Sequence, residues 1–211
     1  MIHDLSHRFE YATPFRLLAI TLDALLETYS LHQLGETSIP DFKLEIRKWE
    51  WLGARVLVES AFPGARLSKN EFGKPVLDNG YHISISHDGD LLAVAFSPDP
   101  VGLDIQSVDE RVWRIRQRFL NDLEKRWVEA SQDPLTSATL VWAGKEAVFK
   151  FFGTDVDFAH DCNVHPFDQT SIIPLTYQGS HGQFHFELQL ISFLNRHIVV
   201  ANSANLQASK S

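Results

Sequence analysis

The chain has 211 residues, 44% of them apolar and 22% charged, which is enough to bury one large core or two smaller ones. Its 19 Lys and Arg against 27 Asp and Glu leave a formal charge of −8, which argues against a nucleic-acid binder working by general electrostatic attraction and requires any anionic ligand to be met by a local basic patch. The single cysteine, Cys162, excludes an internal disulfide, the opening Met-Ile-His-Asp lacks signal-peptide character, and apolar runs such as Leu91 to Phe96 fall far short of the about 18 residues a membrane span needs. A cytoplasmic protein that binds neither nucleic acid nor membrane is expected.

Apolar positions at helical spacing predict helices over Pro14 to Tyr29 (Leu17, Leu18, Leu22, Leu25, Leu26) and Lys43 to Ala61 (Leu44, Trp51, Leu52, Val56, Leu57), with Leu34 to Pro40 as a loop between them. After Pro63-Gly64 the pattern shortens to segments separated by turn residues: Asn70 to Pro75, Asp78-Asn79-Gly80, His82 to Ser86 and Asp88-Gly89-Asp90. Leu91 to Ser97 and Val101 to Ile105 are apolar runs of strand length. Helical spacing returns over Arg111 to Ala130 and Leu135 to Phe152, and Phe184, Phe186, Leu188 and Leu190 alternate as in a strand before a last apolar strand, His197 to Ala201. No linker or short repeat intervenes. Helices then strands, followed by helices then strands again, suggest an α+β chain of two halves of comparable size.

Four segments carry candidate chemistry. In Val141 to Lys150, helical spacing of Trp142, Lys145, Glu146 and Lys150 presents an aromatic, a carboxylate and two ammonium groups on one face; the plain alternative is an exposed Glu146–Lys150 pair contributing a few tenths of a kcal/mol. In Val101 to Gln106, Asp104 lies among apolar neighbours, where an unpaired carboxylate is costly, and alternation sets Gln106 on the same side, so both could point at one divalent cation. In Ile83 to Asp90, the Ser84 and Ser86 hydroxyls, His87 and turn amides can hold a phosphate. In Asn70 to Pro75, the turn displays Lys74 ahead of a fixed Pro75. His160, Cys162 and His165 lack a fourth partner for zinc.

Gly73-Lys74-Pro75, Ser86-His87-Asp88-Gly89, Gly102-Leu103-Asp104-Ile105 and Trp142 with Lys145, Glu146 and Lys150 occur in the order and at the separations found in the 4'-phosphopantetheinyl transferase superfamily. The chain resembles its longer, monomeric, surfactin-synthetase-activating type, over about residues 43 to 201. The resemblance implies two similar α/β halves related by pseudo-twofold symmetry, residues 1–102 and 103–211, with the active site in the cleft between them. It implies Mg²⁺ on Asp104 and Glu146, with Gln106 standing where the best-known members have a second carboxylate, and coenzyme A as co-substrate. Lys150 would contact the pyrophosphate, Lys145 would join it in binding the coenzyme, and Lys74, Ser86 and His87 would hold phosphates of the adenosine end. Arg47, Lys48 and Arg55 lie where the family places further basic residues, and Glu124 matches a supporting glutamate. The implied reaction is transfer of phosphopantetheine to a serine of an apo carrier protein, with Asp104, Glu146 and Lys150 as the catalytic set. Arg111, Arg114 and Arg118, read at helical spacing, are candidates for docking an acidic carrier. A relative that binds coenzyme A or a carrier without transfer is the alternative.

Overall fold

The computed structural model describes residues 1–9, 15–28, 39–169, 171–203 and 206–208. Its chain divides into two compact units, Met1–Pro98 and Asp99–Ser211, so the division in sequence precedes the strand that contains residue 102.

In the first unit, β1 (His3–Asp4), β2 (Arg16–Thr21), α1 (Leu22–Thr28), α2 (Glu45–Ala61), β3 (Leu67–Lys69), β4 (Pro75–Leu77), β5 (His82–Asp88) and β6 (Leu91–Ser97) follow one another. The main sheet is antiparallel in the order β1-β2-β6-β5, and β3 with β4 forms a separate hairpin. The predicted helix from Pro14 is a strand as far as Thr21 and a helix only from Leu22, with residues 14 and 29 outside the described residues. The reason is burial on both faces: Leu17, Leu18, Ala19 and Ile20 are all buried, and a short apolar run buried all round carries no period that separates strand from helix. The predicted loop over 34–40 also falls largely outside the described residues. α2 forms as expected, burying Leu52, Val56, Leu57 and Val58 in a core shared with Leu18, Ile20, Val94 and Phe96.

The second unit runs β7 (Val101–Gln106), α3 (Glu110–Ile115), α4 (Asp122–Ala130), α5 (Pro134–Phe152), β8 (Cys162–Val164), β9 (Ile172–Gly179), β10 (Gly182–Phe193), β11 (Arg196–Asn202) and β12 (Leu206–Ala208). The sheet order is β7-β11-β10-β9-β8, with β12 also paired to β10. The continuous helix predicted over Arg111 to Ala130 is two helices, with a 3-10 turn at Arg116–Arg118. Asn121 interrupts it: its side chain accepts from the Glu124 amide while the Glu124 carboxylate accepts from the Asn121 amide, a capping box that starts α4 afresh. α5 is bounded by its own signals, an Asp133 cap, Pro134 in the first turn and Gly153 in the left-handed region at φ 96°. No described helix is long and apolar enough to cross a membrane.

Gly102 lets α5 lie directly on β7. A Cβ there would stand 1.9 Å from the Ala147 carbonyl oxygen and 2.6 Å from the Phe151 amide nitrogen. Backbone atoms on both sides leave nothing flexible to yield. Gly102→Ala is expected to cost at least about 1–3 kcal/mol through overpacking, read as a lower denaturation midpoint at unchanged m-value.

Candidate active site

Two groups of candidate residues assemble, one in each unit. In the second unit, α5 sends its motif residues in two directions. Trp142 packs edge-on against Phe119 and Phe158, with ring centroids 5.0 and 5.4 Å away. Lys145 follows it inward: fully buried, its Nζ donates to Glu124 Oε2 at 2.6 Å and to the carbonyls of Phe158 (2.7 Å), Phe119 (2.8 Å) and Cys162 (3.1 Å). An ammonium has three protons, so these acceptors account for all of them. The expectation that Lys145 binds coenzyme is therefore corrected; it is a structural cation, and Glu124 is its counter-ion. Burial pushes the Glu124 carboxyl up and the Lys145 ammonium down, each opposed by the charge of the other. Amides of Val164 and Asn121 satisfy the rest of the Glu124 carboxylate.

Glu146 and Lys150 lie on the other side of α5 and meet β7. Lys150 Nζ donates to Asp104 Oδ1 at 2.7 Å, and the single face expected to hold all four motif residues is thus two. Asp104 is 3% exposed. Its Oδ2 accepts from Gln106 Nε2 at 2.9 Å, so Gln106 does lie on the side of Asp104 that strand alternation gives it, but as a donor to the carboxylate and not as an oxygen ligand beside it. Its amide orientation follows from the partner, since a carbonyl there would face a carboxylate. Burial, and then the charge of Asp104, push the Glu146 carboxyl up to about 7, with Lys150 opposing. Two carboxylates, completed by water and phosphate, suit Mg²⁺ in number and kind. Among the described residues no group of three or more His, Cys, Asp or Glu converges. His197, which sequence reading passed over as a strand end, lies directly opposite Gln106 in the sheet register.

In the first unit, α2, β3 and the end of β5 enclose a cavity of about 480 Å³ lined by Arg47, Glu50, Trp51, Arg55, Lys69 and His87 among others. Arg55 stacks on Trp51 at 3.6 Å from the ring centroid, and Arg47 Nη1 lies 3.1 Å from His87 Nε2. Gly73 and Pro75 reach the lining on either side of Lys74, whose ammonium burial makes less basic. Arg47, Arg55 and His87 thus share one cavity, as a phosphate site requires. Ser86 does not join them. Ile85 and His87 face the cavity, and alternation turns Ser84 and Ser86 to the opposite side of β5, where both are buried. Lys48 pairs with Glu45 at 3.0 Å and is not among the lining residues. The sequence reading missed Glu50, Lys69 and the Trp51–Arg55 stack, although the i, i+4 spacing of the last was available.

The arginine run is distributed by the break before α4. Arg111 pairs with Asp109 at 2.6 Å, Arg114 lies 3.9 Å from Glu110, and Arg116 stacks on Trp113. Arg118 lies in the 3-10 turn, so the three docking candidates do not share one helix. His160 pairs with Asp157, His165 contacts Thr176, and burial holds the Cys162 thiol up at about 12.

Removing Lys145 leaves a buried carboxylate without its cation, so Lys145→Ala is expected to cost about 3–5 kcal/mol of stability, measured by chemical denaturation. Glu146 gives a pH signature. The folded chain holds its proton to about pH 7, against 4.5 ordinarily, so the stability it contributes is fully present below about pH 4.5 and is lost as pH rises through about 7. Metal-free protein should lose that increment over this window, and Glu146→Gln should flatten it.

Residues 100–202 match the family model for the 4'-phosphopantetheinyl transferase superfamily. Among curated proteins, the chain is 34% identical over 87 residues to 4'-phosphopantetheinyl transferase gsp of Aneurinibacillus migulanus, covering 40% of this chain and 37% of that protein. It is 29% identical to 4'-phosphopantetheinyl transferase AcpT of Salmonella typhimurium, covering 59% of this chain and 69% of the relative. With 4'-phosphopantetheinyl transferase ffp of Bacillus subtilis it shares 29% identity over 46% of this chain and 45% of the relative. The first and last of these matches span less than half the length of the relative. The chain is thus similar to the 4'-phosphopantetheinyl transferase superfamily through residues 100–202, just under half of its length, the segment that holds the Asp104 and Glu146 motifs.

Proposed function

We propose that this protein transfers the 4'-phosphopantetheine moiety of coenzyme A to a serine of an apo acyl or peptidyl carrier protein, in a Mg²⁺-dependent reaction that releases 3',5'-ADP. The observation that carries the reading is the Asp104–Lys150–Glu146 group: a buried carboxylate held by an ammonium at 2.7 Å, beside a second carboxylate pushed up to about 7. The names of the relatives support it.

The serine oxygen forms a bond to the phosphorus that carries the pantetheine arm. The bond from that phosphorus to the oxygen bridging the pyrophosphate breaks, and 3',5'-ADP leaves with the electron pair. Glu146, whose buried carboxyl accepts a proton near neutral pH, takes the serine proton. Asp104 and Glu146 would hold Mg²⁺, which supplies charge neutralisation on the pyrophosphate when bound. Lys150, oriented by Asp104, offsets the charge that builds on the leaving group. In the first unit, Arg47, Arg55, Lys69 and His87 supply the positive lining for phosphates of the adenosine end, with Lys74 beside them.

The same reading includes a monomeric cytoplasmic enzyme of two similar halves. The similarity of the halves is supported by the common plan of the units, each a long helix over an antiparallel sheet. Arg111 and Arg114 are exposed, and with Arg118 they remain the proposed contact for an acidic carrier, their local acids being partners that a carrier carboxylate can exchange for.

Gln106 favours a second reading, a relative that binds coenzyme A or a carrier without transfer, because the amide donates to Asp104 and brings no charge to a cation. Incubation with coenzyme A, Mg²⁺ and apo carrier separates the two. Transfer adds the phosphopantetheine mass to the carrier serine; coenzyme A binding with no increment on several carriers supports the second reading. Lys150→Ala is expected to lower turnover by about 10²–10³-fold with a much smaller change in thermal midpoint, and a loss of activity that merely tracks unfolding overturns the assignment.

A further inference from the structure

Glu50 is out of place by charge. Among the described lining residues of the first-unit cavity it is the one carboxylate, set among Arg47, Arg55, Lys69 and His87. Simple electrostatics makes it a handicap for any anionic ligand. Its geometry shows what it does there. Glu50 Oε2 accepts from Arg47 Nη1 at 2.7 Å, and Oε1 lies 3.3 Å from His87 Nδ1, while the same Arg47 Nη1 lies 3.1 Å from His87 Nε2. The guanidinium can only donate, so Nε2 accepts and the proton of the neutral ring sits on Nδ1, the nitrogen that lies 3.3 Å from Glu50. The carboxylate therefore touches two basic side chains from two elements, Arg47 one turn earlier on α2 and His87 near the end of β5.

We propose that Glu50 is a positioning residue: it holds Arg47 and His87 side by side and keeps the His87 proton on Nδ1, so that Nε2 and the guanidinium face the cavity together and engage one phosphate of the ligand. The inference rests on the coenzyme A reading for the identity of that phosphate. A phosphate oxygen entering between Arg47 and His87 takes over the guanidinium donor that Nε2 now accepts. The ring then takes up a proton from solvent on Nε2 to become a second donor, and Glu50 stabilises the resulting imidazolium from the Nδ1 side. Other charged groups near the ring are Arg55 on α2 and Lys69 on β3, cations that line its cavity and oppose protonation of the ring, and Asp90, which lines an adjoining hollow with Glu50 and His87. Glu50 is the carboxylate that lies within 3.3 Å of the ring.

The sign of one substitution tests this. Glu50→Gln removes a negative charge from an anion site, so a merely electrostatic or structural bystander predicts equal or tighter binding of 3',5'-ADP. Positioning predicts the reverse, a dissociation constant raised about tenfold by calorimetry. In a His87→Ala background the same change should have little further effect, because the two act as a unit. Nitrogen-15 histidine spectra of the free protein should show His87 protonated on Nδ1 in the wild type and a mixture of tautomers in Glu50→Gln. Unchanged or tighter binding, an undiminished effect without His87, or an unchanged tautomer overturns the proposal. Wild-type protein that binds neither 3',5'-ADP nor coenzyme A overturns the coenzyme reading instead, and with it the ligand assigned here.

Discussion

The buried ammonium of Lys145 is the contact on which the second unit's arrangement depends. It joins two separate stretches of chain, through the carbonyl of Phe119 and the carboxylate of Glu124 in one and the carbonyls of Phe158 and Cys162 in the other, to one point on α5. A charge so placed is expensive to desolvate, and replacement of such pairs by apolar side chains is often neutral or better for stability. What the pair specifies is rotation. With Lys145 and Trp142 turned inward, the residues one and five positions on, Glu146 and Lys150, are turned toward β7 and Asp104. The charged half of the helix motif is thereby aimed by the buried half. Glu124 serves twice, since the carboxylate that receives Lys145 also closes the capping box that starts α4.

The approach of β7 to α5 is the complementary constraint. Gly102 permits backbone-to-backbone packing against Ala147 and Phe151, and Asp104, two residues on and on the same face, is thereby brought to the flanking turn that carries Glu146 and Lys150. The Gly-x-Asp spacing on the strand and the Lys-Glu-x-x-x-Lys spacing on the helix are therefore one geometric requirement written in two places. Separation of the strand by a side chain at Gly102 would leave Asp104 buried without its ammonium, which is costly for a carboxylate.

Much of this was legible in the sequence, and the failures are physical. Motif order identified Asp104, Glu146, Lys150 and His87, each now placed beside a charged partner or in a cavity. Helical spacing gave α2, which has one buried and one exposed face, and α5, which is buried along most of its length and is bounded in the structure by Asp133, Pro134 and Gly153. β2 was lost because Leu17 to Ile20 are buried on both sides and so show no alternation. Lys145 was assigned to the ligand through the resemblance, and the spacing could not correct it, because i, i+3, i+4 does not say which edge of the stripe faces the core and a buried lysine is the rarer outcome. Ser86 followed from the same kind of ambiguity: a strand's neighbours face opposite ways, and Ser86 and His87 cannot both line one cavity. Glu50 could not be found from sequence at all, since its partner His87 lies on another element and a carboxylate is not what an anion site predicts.

The formal charge of −8 is compatible with phosphate binding because the cations are sorted by surroundings more than by number. Lys145 is neutralised inside, Lys48, Arg111 and Arg114 are matched by carboxylates on the surface, and Arg47, Arg55 and Lys69 are concentrated with His87 around one concavity that includes Trp51. Exposed pairs contribute little to stability, but a concave low-dielectric lining strengthens every charge within it. Local concentration thus does what the net charge does not. An acidic protein can present a phosphate with a strongly positive wall, provided that any acid admitted to the wall, as Glu50 is, orients donors to a degree that outweighs the repulsion it brings.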